Sequence, residues 1–76
     1  MEEDKQIAEL QEFFLEQCRT TWHPDTPSFR YALAMSTFDQ VKKAIILASG
    51  QCRGGPTNKW KYANAIMRNW RQADAE

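Results

Sequence analysis

Arg53, Lys59, Lys61, Arg68 and Arg71 place five positive charges between Gly50 and Ala73, and no Asp or Glu interrupts them. At about 100° per residue on a helix, Lys61, Asn64, Arg68 and Arg71 share one side at spacings of three and four, with Trp60 and Met67 at its border. A row of cations on one helical ridge can meet successive phosphates, and a border tryptophan can stack on a base exposed in a single strand. These residue types offer the capture of a polyanion. A merely solvated helix face would carry the same ridge, and the acid-free context is what favours the functional reading.

The formal net charge of zero conceals an asymmetry. Residues 1–22 sum to −4, residues 23–49 to +1, residues 50–73 to +5 and residues 74–76 to −2. Such a separation suggests an acidic partner or a nucleic acid at one end. The acidic end has its own ridge, Glu9, Glu12 and Glu16. It reads either as a soluble helix face or as a protein-interaction surface, including a contact with the basic ridge of a second copy.

No catalytic constellation accompanies the charges. Cys18, His23 and Cys52 are the only soft metal ligands, and zinc needs three or four at suitable spacing, so no metal site is expected. His23 and Asp25 could imitate a base with its orienter, but Thr20, Thr21 and Thr26 lie in no nucleophile motif. Arg53-Gly54-Gly55 lacks the spacing and the Gly-Lys-Ser/Thr ending of a phosphate-cradling loop, which leaves a turn with a basic tip. The expectation is a binding protein without cofactor, not an enzyme.

Seventy-six residues make one domain, 1–76, that buries only about 60% of its unfolded surface and has a stability of a few kcal/mol. Two cysteines make no disulfide framework and no cleavable apolar leader follows Met1, so a reduced cytoplasm is expected. The apolar run Ala44 to Ala48 is far short of the roughly 20 residues that cross a bilayer.

Ile7, Leu10, Phe14 and Cys18 recur at three- and four-residue spacing, which predicts a first helix over 3–22. Pro24 and Pro27 make 23–27 a connector. Ser28 is the expected N-cap of a short helix to Met35 that turns Phe29, Leu33 and either Tyr31 or Ala32 inward. Thr37 and Gln40 have the capping-box spacing and open a third, central helix to about Ser49, with Phe38, Val41, Ala44, Ile45 and Ala48 on one stripe. Gly50 then stops that helix, 51–57 form a sharply turning loop, and Asn58 caps a fourth helix from 59 to about 73. Its inward face is expected to be Tyr62, Ala63, Ile66, Trp70 and Ala73. The fold class is a small all-α bundle of about four helices with the C-terminal helix packed on the core.

The stretch Lys59 to Trp70 resembles the C-terminal signature of DnaD-type primosomal domains, a tyrosine, an isoleucine and a tryptophan spaced Y-x-x-x-I-x-x-x-W, here Tyr62, Ile66 and Trp70. Val41, Ala44 and Ala48 ahead of a polar loop are similar to the helix preceding that signature, so the resemblance covers residues 38–71. It implies an all-α domain of bacterial, phage or plasmid replication that binds single- or double-stranded DNA, self-associates and helps deliver the replicative helicase or its loader. The acidic first helix departs from that pattern. The expected contact set is Arg53, Lys59, Trp60, Lys61, Asn64, Arg68 and Arg71 on a scaffold fixed by Tyr62, Ile66 and Trp70. The competing reading is a stand-alone phage or plasmid protein that binds a host protein through Glu9, Glu12 and Glu16.

Overall fold

Each of the apolar-periodic stretches folds as a helix, and the connectors between them are set by local chemistry. The computed structural model describes residues 2–75, with α1 (Glu2–Cys18), α2 (Thr26–Met35), α3 (Phe38–Gln51) and α4 (Pro56–Ala75). The fold is an all-α bundle, and no described helix is long and apolar enough to cross a membrane.

α1 stops at Cys18, four residues short of the expected end at residue 22. Arg19 takes a left-handed conformation, φ 50°, and the Thr20 amide donates to the Leu15 carbonyl at 3.2 Å. That six-to-one bond is the Schellman way of closing a helix, a position that glycine usually fills because it has no Cβ. Here an arginine bears the strain, which is why the stop was not readable from residue type. The chain then runs through Trp22 and His23 to Pro24, which is fully buried. The His23 Nδ1–H donates to the Pro24 carbonyl at 2.7 Å.

α2 begins earlier than Ser28. Asp25 is its N-cap, and the Asp25 Oδ1 accepts from the Ser28 amide at 3.2 Å and from the Ser28 hydroxyl at 2.6 Å. Pro27 fits within the first turn because the amide it lacks would have had no partner there. Phe29 and Ala32 are buried, Leu33 is half-buried and Tyr31 points to solvent.

The capping box of α3 is present in both directions: the Thr37 hydroxyl accepts from the Gln40 amide at 3.2 Å, and the Gln40 Oε1 accepts from the Thr37 amide at 3.1 Å. Val41, Ala44, Ile45 and Ala48 are buried. α3 is the central helix in the sense that it packs against α1, α2 and α4, although Ile46 is exposed on its outer side. Gly50 is not its stop. It lies inside the helix, no glycine has positive φ, and the end comes at Cys52, whose amide donates to the Ala48 carbonyl at 2.9 Å. Among the loop glycines, Gly54 is sterically required, because a Cβ there would meet the Asn58 side chain at 2.7 Å.

α4 starts at Pro56, so Asn58 sits within its first turn and packs over Gly54 instead of capping the helix. The inward face also differs from the expected one. Trp60, Ala63 and Met67 are buried, whereas Tyr62 is 38% exposed, Ile66 and Trp70 are half-buried, and Ala73 is exposed. At 100° per residue the buried stripe is rotated by roughly 90° from the Tyr62–Ile66–Trp70 ladder. The cause is aromatic packing. The Trp60 ring lies 4.9 Å from that of Phe29 on α2 and 6.2 Å, edge to face, from that of Phe14 on α1.

Cα extents of 37 × 34 × 17 Å make the molecule a slab about two helices thick, since one helix with its side chains spans roughly 10 Å. Trp60→Ala is expected to cost about 3–5 kcal/mol, comparable to the whole stability of a domain this small, and Trp70→Ala distinctly less. Urea unfolding followed by circular dichroism checks the order, and equal losses would put the ladder back in the core. Arg19→Gly should raise stability by about 0.5–1 kcal/mol, the relief of left-handed strain less the entropy of a new glycine; an unchanged or lowered midpoint contradicts this.

Candidate functional site

Because Trp60 turns toward α1 and α2, the two flanks of α4 face different neighbours. One flank runs beside α3: the Tyr62 hydroxyl donates to Gln51 Oε1 at 2.8 Å, and Ile66 and Trp70 pack at the edge of the core. The other flank, with Asn64, Arg68 and Arg71, faces α2 across a groove of about 630 Å³. Tyr31 and Met35 line the α2 wall, and Ala32, Trp60 and Met67 contribute to the floor. A smaller cavity of about 260 Å³ shares Asp25, Ser28 and Trp60 with this groove and adds Trp22, His23 and Lys61. Adjoining through these three shared residues, the groove and the cavity make a two-part furrow along α4, Lys61 lining the smaller part and Asn64, Arg68 and Arg71 the larger.

The structure thus brings Asn64, Arg68 and Arg71 to one groove and Lys61 to the adjoining cavity, sinks Trp60 into the floor and keeps Lys59 and Arg53 out of both. Trp60 is 8% exposed and holds the core, so its indole is not free to stack on a base as the border position suggested. Lys59 is used internally. Its ammonium donates to the carbonyls of Cys52 at 3.0 Å and Gly54 at 3.3 Å, closing the α3–α4 connection. Arg53 is exposed in that connection and does not line the groove. No side-chain hydrogen bond engages Lys61, Arg68 or Arg71 among the described residues.

Tyr31, Met35 and Trp22 were the omissions. Tyr31 is 63% exposed, Met35 46% and Trp22 40%, and all three line the furrow. A signal for the first two existed. Phe29, Ala32 and Leu33 define the inward stripe of α2, and Tyr31 and Met35, four apart, lie off it. Trp22 had no such signal, because its position depends on where α1 ends.

Glu9, Glu12 and Glu16 are exposed along α1. Burial pushes the Cys18 thiol up, against an opposing pull from the Lys59 ammonium, so it stays protonated and behaves as a small apolar side chain. No group of three or more His, Cys, Asp or Glu is placed to hold a metal among the described residues.

Asp25 lies where the two cavities meet, and the Ser28 hydroxyl, then the Ser28 amide, hold its carboxyl below the usual carboxylate range. A depressed folded pKa means that the cap stabilises the fold fully above the ordinary Asp range and stops doing so as pH falls through the lowered value. The Ser28 amide resonance should therefore titrate with a midpoint below that of an unstructured Asp, and Asp25→Asn should abolish that step; a midpoint at or above the ordinary value refutes the bond.

None of the protein-family models, curated proteins or solved structures compared with this chain matches it.

Proposed function

We propose that the protein is a DnaD-like nucleic-acid-binding domain, an accessory to the primosome in bacterial, phage or plasmid replication, and not an enzyme. The observation that carries the binding is the free flank of α4, where Lys61 and Arg68 are exposed and Arg71 half-exposed beside a groove, without a side-chain hydrogen bond among the described residues. Cations held by the rigid side of a helix, in a region of net charge +5, favour phosphate by Coulomb attraction and by the release of condensed counterions. The replication context rests on the Tyr62, Ile66 and Trp70 spacing, and delivery of a helicase or its loader and self-association come with that resemblance. The mechanism is electrostatic and tolerant of sequence, with Asn64 adding a hydrogen-bonding side chain within the row of cations.

A second reading is supported by the exposure of Glu9, Glu12 and Glu16: a phage or plasmid protein that captures a host protein through α1. The two readings respond differently to salt, because an interface with an apolar centre loses much less affinity than one made of phosphate contacts.

Titration of fluorescent single-stranded and duplex DNA across a series of salt concentrations should show affinity falling with a log–log slope of about −2 to −3, as expected for three phosphates. Replacing Lys61, Arg68 and Arg71 together with Ala should flatten that slope and leave the thermal midpoint nearly unchanged, since exposed substitutions shift stability by about 0.5 kcal/mol or less each. Replacing Glu9, Glu12 and Glu16 with Gln should leave DNA affinity equal or higher. Wild-type binding that is absent at low salt, or unchanged in the triple Ala variant, removes the nucleic-acid reading. Loss of a stoichiometric protein partner in the Gln variant then supports the other.

A further inference from the structure

The furrow between α2 and α4 has two chemically different walls. All its cations, Lys61, Arg68 and Arg71, belong to α4. Both of its exposed aromatic rings, Trp22 and Tyr31, lie on the opposite side, on the α1–α2 connector and α2. Asp25 lines both parts of the furrow, its carboxylate engaged by Ser28. A carboxylate repels phosphate and can accept from the amino edge of a base, so it belongs with the aromatic wall. Lys61 and Arg71 are ten residues apart, about 15 Å along the helix.

From this arrangement we infer that the furrow is a binding site for single-stranded nucleic acid, with the sugar-phosphate backbone along Lys61, Arg68 and Arg71 and bases stacked on Tyr31 and Trp22. The inference rests on the nucleic-acid reading above and goes further by naming the strand form and the residues that read it. Charge explains the α4 wall in any polyanion complex. It does not explain two half-exposed or more exposed rings facing that wall, which are costly to leave in water and useful to a partner with unpaired flat faces. In a duplex the bases are already stacked and paired, so Tyr31 and Trp22 would gain nothing from it. A single strand offers each ring a π face, and the contact tolerates any base. The Trp22 ring is steadied from behind by the edge-to-face contact with Phe14, 5.8 Å between centroids, which presets it without ordering on binding.

The test compares an oligothymidylate of about 15 nucleotides with a mixed-sequence duplex of the same length, at low salt, for wild type, Tyr31→Ala, Tyr31→Phe and the Lys61/Arg68/Arg71 triple Ala variant. Tyr31 is largely exposed, so its substitutions leave the fold intact, and circular dichroism confirms that. Tyr31→Ala should weaken oligothymidylate binding by about tenfold, the value of one lost stack, while duplex binding is unchanged. Tyr31→Phe should restore wild-type affinity, because the ring stacks and the hydroxyl does not. Saturating oligothymidylate should also quench the fluorescence of Trp22, a signal absent in Trp22→Phe. If the triple Ala variant loses binding but Tyr31→Ala binds the oligothymidylate as wild type does, or loses both strand forms equally, the furrow inference is overturned and the electrostatic reading stands. If wild type binds neither strand form, both fall together.

Discussion

The Trp60 ring is the contact on which the arrangement of this small fold turns. It projects from α4 into the space between α1 and α2, meeting Phe14 edge to face and Phe29 at a tilt. α3 supplies the platform, packing against each of the other helices, whereas α4 has few contacts with α1 and α2, and this indole reaches an aromatic ring on each of them. In a slab only about two helices thick, few side chains can be fully surrounded, so a single large ring touching two neighbouring helices carries a large part of the available burial. The rotation of α4 about its own axis follows from where that ring must go.

That rotation decides the chemistry of the surface. With Trp60, Ala63 and Met67 inward, the Tyr62–Ile66–Trp70 ladder falls beside α3, and Asn64, Arg68 and Arg71 fall beside α2. Had the ladder itself pointed at the core, the cations would have faced open solvent and no groove would have gathered them. The same rotation leaves α2 and α4 apart along most of their length, so the gap between them is lined by one polar and one aromatic wall. Lys59 shows the opposite fate of a similar residue. Two positions from Lys61, it turns to the carbonyls of Cys52 and Gly54 and becomes part of the scaffold, because an ammonium can satisfy chain-end acceptors that a tight connection cannot hydrogen-bond otherwise.

Helix ends show how local chemistry and tertiary context divide the work. The capping box at Thr37 and Gln40 involves residues three apart and needs no other part of the molecule, and it forms as its spacing dictates. Asp25 and Ser28 compete for the same cap, and either choice is locally sound; the proline in the first turn and the burial of Phe29 favour the longer helix that Asp25 begins. At Arg19 the local preference is overridden. An arginine has no liking for the left-handed region, yet the chain must leave α1 there to bring Trp22 and the buried Pro24 against the bundle.

What the amino-acid sequence determined by itself was the set of helices, the central role of α3, the inward stripes of α1 and α3, and the gathering of positive charge on α4. These depend on periodicities and caps that act within a few residues, so one chain suffices to read them. The tertiary structure alone decided which face of α4 turns inward. Trp60, Ala63 and Met67 and the Tyr62–Ile66–Trp70 ladder are both apolar at helical spacing, and periodicity cannot rank two candidate faces roughly 90° apart. Only the positions of Phe14 and Phe29, 46 and 31 residues away along the chain, break the tie. The pairing of Tyr31 and Trp22 with Arg68, Arg71 and Lys61 was invisible for the same reason, since it joins segments whose proximity follows from how the helices pack and from no pattern within any one of them.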